Sequence, residues 1–378
     1  MLRNRLRAKY PLFSLKFEPI LIKEEMLDQV LAAYGFSQNN ISVIPHGTGL
    51  INRTWIIRNG NDDFILQQLN HQVFSHPEYI AENIEMVGSY LSKHYPDTIF
   101  PRPVPSLAGK TLIAVEQNYY RLFPFIANSE TIDVAHTPEQ AFEAARQFGA
   151  FTRMLSDFPA NKLHKTLPDF HNLSLRYTAF RKAIEKGHKE RIGNATRLID
   201  YLAAQHPLVI RYQEILSNPG FKLRVTHHDT KISNVLFDQQ GHGICVIDLD
   251  TLMPGYFISD VGDMFRTYLC PVSEEERDMS RIHIRREYFE AIVRGYLEEM
   301  AGTLTPVEKA SFVYAGEFMV YMQALRFLTD YLHGDIYYGS RYEGHNYIRA
   351  SNQATLLQRF QEQASALQPI ASNIKLSM

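Results

Sequence analysis

Cysteine is nearly absent from this protein: Cys245 and Cys270 are the only two in 378 residues. Two thiols cannot build a disulfide framework or a cysteine-based metal centre, so a reducing, cytoplasmic setting is expected. An excess of charge is missing as well, with 39 Lys and Arg against 41 Asp and Glu. That balance gives no electrostatic footprint for nucleic acid or an anionic membrane. Long hydrophobic runs are also lacking. The N-terminus is basic (Arg3, Arg5, Arg7, Lys9), but no apolar stretch of useful length follows before Glu18, so neither a signal peptide nor a transmembrane helix is expected. There is no internal repeat or low-complexity tract. Aromatic residues are what the chain has in quantity, 21 Tyr and 23 Phe, with tyrosines crowding the C-terminal third. Most should form core; the crowding also suits a polar ligand with flat apolar faces, such as a sugar.

The length allows one large domain or two packed lobes. Residues 24 to 34 space apolar side chains at helical intervals and stop at Gly35. An alternating strand follows, then a glycine loop at Gly47-Thr48-Gly49, a strand from Thr54 to Arg58, a turn at Asn59-Gly60 and a strand from Phe64 to Leu69. Glycines in that first connection let a backbone approach phosphates closely, although a plain hairpin turn would use them too. A helix from Pro77 to His94 carries Ile80, Ile84, Val87 and Leu91 on one face, with Glu82 and Glu85 near the opposite edge. A hairpin (Thr111 to Glu116, Tyr119 to Pro124) and the stretch RLFPFI place a boundary near Ile126. Helical patterns then cover 138–155, 172–187, 194–206, 260–269 (capped by Ser259 and Asp260), 280–300, 306–332 and 348–367. The expected class is α+β and bilobal: a small antiparallel sheet lobe over 1–126 and a larger, mostly helical lobe over 127–378.

The stretch VTHHDTKISNVLFDQQGHGICVIDLD, Val225 to Asp250, reads as a hairpin with Asp229 ahead of its first strand, Asn234 entering that strand, and Asp248 and Asp250 ending the second. Three acids and a carboxamide so arranged suit a divalent metal held beside a hydroxyl. Alternation along the second strand would put Asp248 and Asp250 on one side.

His227, Asp229 and Asn234, with Lys231 two beyond the aspartate and Asp248 after the next strand, resemble the catalytic loop of the protein-kinase-like fold and its aminoglycoside and choline phosphotransferase branch. The phrases GTGLINRTW, FILQQLN, HHDTKISNVLFD, CVIDLDTLMPGYFISDVGDMFR and RFLTDYLHGDIYYGSRYEGHN are similar to the N-acetylhexosamine 1-kinase group, bacterial enzymes that phosphorylate the anomeric hydroxyl of N-acetylglucosamine and N-acetylgalactosamine.

The resemblance implies ATP and Mg2+ as cofactors and a small-molecule sugar as substrate, with no nucleic-acid or membrane partner. Asp229 would be the base. Lys231 would reach the transferring phosphate or stand as a solvated lysine. Asn234 and Asp248 would hold Mg2+, and Asp250 would contact the sugar or make a structural hydrogen bond. Gly47 and Gly49 would cover phosphates. The backbone around Leu122, Phe123 and Phe125 would pair with adenine, flanked by Val43 and Ile65. His227, Asp260 and Asp263 read as structural, and His228 is unassigned. Arg326 and Tyr337, in helical register with Asp330, would contact the sugar; the alternative is an internal salt bridge with a tyrosine over it.

Two departures stand out. Gln67 or Gln68 occupies the place where protein kinases hold phosphates with a lysine or arginine, a strand at which the N-acetylhexosamine kinases resemble this sequence, and Leu50 stands where these sugar kinases often carry a histidine. Other acceptors, such as an amino sugar, a choline-like alcohol or an aminoglycoside, form the alternative reading, and a non-catalytic nucleotide-binding protein a third.

Overall fold

The computed structural model describes residues 24–37, 41–47, 51–60 and 62–373; the positions of Gly49 and Leu50 lie outside them. Helix α1 (Glu24–Ala33) ends as its pattern suggests. Gly35 sits at φ +79, its N–H donates to Ala32 and that of Phe36 to Leu31, so the last carbonyls are satisfied by a left-handed turn that glycine adopts without strain.

Strands β1 (Ile41–Pro45), β2 (Arg53–Asn59) and β3 (Asp62–Leu69) are followed by helix α2 (Pro77–His94), then β4 (Ile113–Val115) and β5 (Asn118–Pro124). They form one antiparallel sheet in the order β1-β2-β3-β5-β4. Its two faces have different partners. Trp55, Ile57, Leu66, Tyr120 and Leu122 cluster with Val30 and Leu31 of α1 in a small core. Ile44, Ile56, Ile65, Gln67, Arg121 and Phe123 alternate onto the opposite face.

This parity corrects one expectation. Val43 lies opposite Ile57 and packs with the α1 cluster, so Val43 and Ile65 are on different faces and cannot flank one ring. Ile44, 42% exposed, is the β1 residue on the face of Ile65.

After β6 (Glu130–Thr131) the chain is largely helical: α3 (Pro138–Met154), α4 (Leu173–Lys186), α5 (Lys189–Asn194), α6 (Thr196–Ala204) and α7 (His206–Ser217). The pattern ending at His206 misses α7, which Pro207 opens from the first turn. Then come β7 (Arg224–Thr226), β8 (Val235–Phe237), β9 (Gly243–Val246), β10 (Met253–Gly255), α8 (Phe257–Tyr268), α9 (Arg286–Met300), α10 (Pro306–Lys309), α11 (Phe312–Leu332) and α12 (His345–Asn373). The expected helix over 306–332 is broken at Ala310 and Ser311. A capping box between Thr305 and Glu308 starts α10, and Glu308, fully buried, is drawn in to pair with Arg224 at 2.5 Å.

Helix α11 is buried on nearly all sides, against α12, α8 and α4, and centres the main core. Gly262 lets α8 lie on it: a Cβ there would stand 2.4 Å from the Ala315 carbonyl oxygen. Cys245 and Cys270 are buried free thiols. Among the described residues, no helix is long and apolar enough to cross a membrane.

Candidate active site

Strands β8 and β9 pair as the expected hairpin, closed by Gly241 at φ +83 and by Asp238, which accepts the N–H groups of Gln240 and His242. The segment His227 to Asn234 leads into it and is fastened from two sides. From α8, Asp260 accepts the N–H of His227 at 2.9 Å and of His228 at 2.7 Å, while Asp263 accepts that of Thr230 at 2.9 Å. Helix α8 starts at Phe257 after Tyr256, so Ser259 and Asp260 lie inside its first turn and do not cap it; Asp260 serves the loop instead. From the hairpin, the Ile247 carbonyl takes His227 Nε2 at 2.9 Å, and His227 Nδ1 accepts the Asp229 N–H at 3.3 Å. His227 is therefore a brace with a fixed tautomer, and its ring meets Phe148 edge-on at 5.2 Å.

Asp229 emerges from this frame half-buried. Asn234 Nδ2 donates to its carbonyl at 2.8 Å and its Oδ2 at 3.0 Å, and Lys231 Nζ lies 3.1 Å from Oδ2. Burial works against the Asp229 carboxylate, but Lys231, His227 and the two hydrogen bonds outweigh it and hold its pKa below the usual value. Burial likewise opposes the Lys231 ammonium, and Asp229 and Asp248 overcome it to raise its pKa. Asp248 behaves oppositely: burial, with Asp250 and Asp229 adding repulsion, pushes it up to about 7.

Such a carboxylate is short of positive charge, which a cation would supply. Committing Asn234 Nδ2 to Asp229 leaves its Oδ1 as an oxygen donor. Among the described residues no cluster of three or more His, Cys, Asp or Glu is gathered around one point. The donor set fits an ion that uses one or two protein oxygens and completes its shell with water and phosphate, as Mg2+ does.

Asp248 and Asp250 do not share a strand face. Strand β9 ends at Val246, Asp248 turns into the left-handed region at φ +58, and Leu249–Thr251 forms one 3-10 turn. Asp250 is thereby buried, with Arg121 Nη2 2.5 Å from its Oδ1 and Asn52 Nδ2 donating to its Oδ2 at 2.5 Å. Arg121 on β5 stands across from Gln67 on β3 and donates to its Oε1 through Nε (3.0 Å) and Nη2 (2.8 Å). Gln68 points the other way, to Asn118. Neither Arg121 nor Asn52 is marked by the motif spacing; Asn52 lies within a quoted phrase, but nothing local connects it to Asp250.

Gly47 follows β1 at φ +79. On β5 the Leu122 side chain belongs to the α1 cluster, and its carbonyl accepts the Val104 N–H at 2.6 Å. Phe123 pairs with Ile65, and the Phe125 N–H donates to Asp63 at 2.9 Å. These groups of Leu122 and Phe125 are thus already engaged within the protein.

Arg326 lies near the end of α11, which stops at Leu332, and Gly334 at φ +91 turns the chain away. Tyr337 is consequently in a loop and not in helical register with Arg326. Asp330 organises that loop, accepting the N–H groups of Tyr337 (2.7 Å) and Tyr338 (2.8 Å), and Asp335 pairs with Arg191. Arg326 hydrogen-bonds the Tyr337 side chain and lies over the rings of Phe170 and Tyr338, 5.4 and 5.5 Å from their centroids. Arg176, Arg266 and Arg349 gather nearby, with Glu274 shared between Arg266 and Arg349. His171 is half-buried beside His228 and these arginines; loss of solvation and the neighbouring positive charge press its pKa well below the usual value, and its ring centroid lies 5.3 Å from that of His228. Burial also depresses His228, to about 4. Both histidines are neutral at pH 7.

Residues 42–303 match the model of the Phosphotransferase enzyme family. Solved structures share the fold at low identity. A microcompartment-associated aminopropanol kinase aligns with TM-score 0.63 at 17% identity, covering 91% of this chain and 98% of its own. An aminoglycoside phosphotransferase from Alicyclobacillus acidocaldarius aligns with TM-score 0.62 at 12% identity, covering 96% and 99%. A spectinomycin phosphotransferase, in complex with ADP and spectinomycin, aligns with TM-score 0.53 at 16% identity, covering 94% and 98%.

Proposed function

Because this chain belongs to the Phosphotransferase enzyme family, we propose that it is an ATP- and Mg2+-dependent kinase that phosphorylates the anomeric hydroxyl of an N-acetylhexosamine. The observation that carries the reading is the Asp229 carboxylate, ionised and aimed by Asn234 and Lys231 on a loop braced from α8. Asp229 receives the acceptor's hydroxyl proton as the new P–O bond forms and the bond to the ADP oxygen breaks. A carboxylate of low pKa is a weak base, so its main work is to orient the hydroxyl until the forming bond acidifies it. Lys231, 3.1 Å from Asp229, would offset negative charge on the transferring group. Asn234 and Asp248 would hold Mg2+, whose charge neutralises phosphate oxygens. With the Leu122 carbonyl and Phe125 N–H engaged, edge-on pairing of adenine falls to the backbone beyond Phe125.

For the acceptor, the quoted C-terminal phrases support an N-acetylhexosamine, with Arg326 and Tyr337 as contacts. The charge of their surroundings adds to this. Four arginines (Arg176, Arg266, Arg326, Arg349) gather there, of which Arg266 pairs with Asp263 and Glu274 and Arg349 with Glu274. Such a wall repels a cationic alcohol and accommodates a neutral sugar through planar donors and aromatic faces.

The test is incubation with ATP, Mg2+ and a panel of free hexoses, N-acetylhexosamines, choline and aminopropanol. Phosphorus and proton NMR then locates the phosphate on any product. Phosphate on C1 of an N-acetylhexosamine is expected; phosphate on C6, or on an amino alcohol, overturns the acceptor reading.

A further inference from the structure

Gln67 leaves the third strand without the cation that protein kinases carry there, yet a guanidinium stands beside it. We propose that Arg121 of β5 is the phosphate-binding cation of this protein, contacting the phosphate tail of the nucleotide, with Asp250, Asn52 and Gln67 holding it in position. The inference rests on the nucleotide-dependent reading above and extends it to a residue from a different strand.

Three features of geometry support it. First, Arg121 and Gln67 are direct cross-strand partners, so both side chains project from the face opposite α1. That face is the one the catalytic segment approaches, because Asp250 meets Arg121 there. The charge has moved one strand along while staying on the same side of the sheet.

Second, the guanidinium is held and not merely buried. Its side chain is 3% exposed, Nε and Nη2 donate to Gln67, Nη2 lies against Asp250, and the plane sits 5.1 Å from the centroid of Phe123. Gln67 thus acts as an acceptor that aims the arginine, which a lysine at that place could not do. Asn52 fixes the far oxygen of Asp250 and accepts the Asn70 N–H at 3.1 Å, anchoring the group to the facing ends of β2 and β3.

Third, the arrangement is incomplete. Arg121 Nη1 is buried and has no hydrogen-bond partner among the described residues. Asp250 Oδ1 is likewise without an aligned donor, since its 2.5 Å contact with Nη2 is an ion pair off the hydrogen-bond axis. A buried guanidinium N–H with nothing to donate to is costly. A phosphate oxygen is the acceptor its planar fork matches best. On this reading Asp250 is the counter-charge of a nucleotide-binding arginine and not a sugar contact.

The test compares ADP with adenosine, which share the base and differ in the phosphates, by calorimetric titration of the full chain in Mg2+ buffer. Wild type should bind ADP more tightly than adenosine. In Arg121→Met the ADP affinity should fall by about tenfold or more with adenosine affinity unchanged, and Arg121→Lys should recover part of the loss. Because Arg121→Met strands the Asp250 charge, the double variant Arg121→Met/Asp250→Asn, which leaves no unpaired ion, is measured alongside and should show the same selective loss. An ADP-to-adenosine ratio unchanged in both variants, or equal losses for the two ligands, overturns the assignment of Arg121 alone. Wild type that binds neither ligand overturns the nucleotide-dependent reading itself.

Discussion

Asp260 accepts the backbone N–H of His228 at 2.7 Å and so holds a histidine at φ +66, a left-handed conformation uncommon outside glycine. The same carboxylate takes the N–H of His227. Asp260→Ala would leave two buried donors unsatisfied, at about 1–3 kcal/mol each, and should lower the urea midpoint and the turnover together. Equilibrium urea unfolding and steady-state rates check this; a variant unchanged in both would remove Asp260 as the brace.

Asp260 also carries a pH dependence. Burial, only partly offset by the two N–H groups, raises its pKa from 3.8 to about 6. A raised carboxyl favours the protonated folded state, so its contribution is fully present below the unfolded value near pH 4 and is lost as pH rises through about 6. Between those values wild type should lose up to about 3 kcal/mol relative to Asp260→Asn, which does not titrate. Unfolding free energies of both proteins across that window give the difference directly. A difference that grows in the opposite sense contradicts the assignment.

Asp229→Asn should reduce kcat by about 10²-fold or more while ADP affinity stays within a few-fold, because the amide keeps the shape and loses the proton acceptor. Asp248→Ala should abolish the Mg2+-dependent rate, and chelation of divalent ions should do the same to wild type. Turnover that survives either change would remove the role assigned to that residue.

Arg326→Ala and Tyr337→Phe should raise KM for the acceptor and leave KM for ATP unchanged. Arg326→Ala should have the larger effect, about tenfold or more, since it removes both a charged donor and a planar stacking surface. Equal rises in the two KM values would point to a distorted site and not to a lost contact.

Gly262→Ala drives a Cβ to within 2.4 Å of the Ala315 carbonyl oxygen, a backbone atom that cannot swing aside. The variant should be destabilised by about 1–3 kcal/mol. Its rate should fall as well, because α8 carries Asp260 and Asp263 and any shift of the helix moves the loop they hold. Thermal unfolding and kcat measured on one preparation test the coupling.

What could be read from the sequence was local. Asp229, Asn234 and Asp248 sit in one short hairpin whose strand lengths fix their order, so spacing alone brought them together. Parity was harder: ISVIP has apolar residues at both Val43 and Ile44, and only pairing with β2 decides which faces α1. Alternation also misplaced Asp250, because the strand ends at Val246 and the backbone reverses hand at Asp248. Tyr337 is out of helical register because the helix stops at Leu332, where its pattern also ends, whereas the spacing from Arg326 counts on past that stop. Arg121 had no local signal. Its neighbours Gln67, Asn52 and Asp250 come from three other stretches and meet only in the folded chain.

The Arg121–Asp250 ion pair also bears on how the molecule comes apart. The sheet holds one charge and the helical part the other, and each is buried by the presence of its partner. Unfolding either part first would break the pair and return the remaining ion to water, so the pair couples the two parts only by its net worth over two hydrated ions. The pair therefore sets how the sheet is registered against the helical part more than it adds stability, and the double variant should melt within a few degrees of wild type.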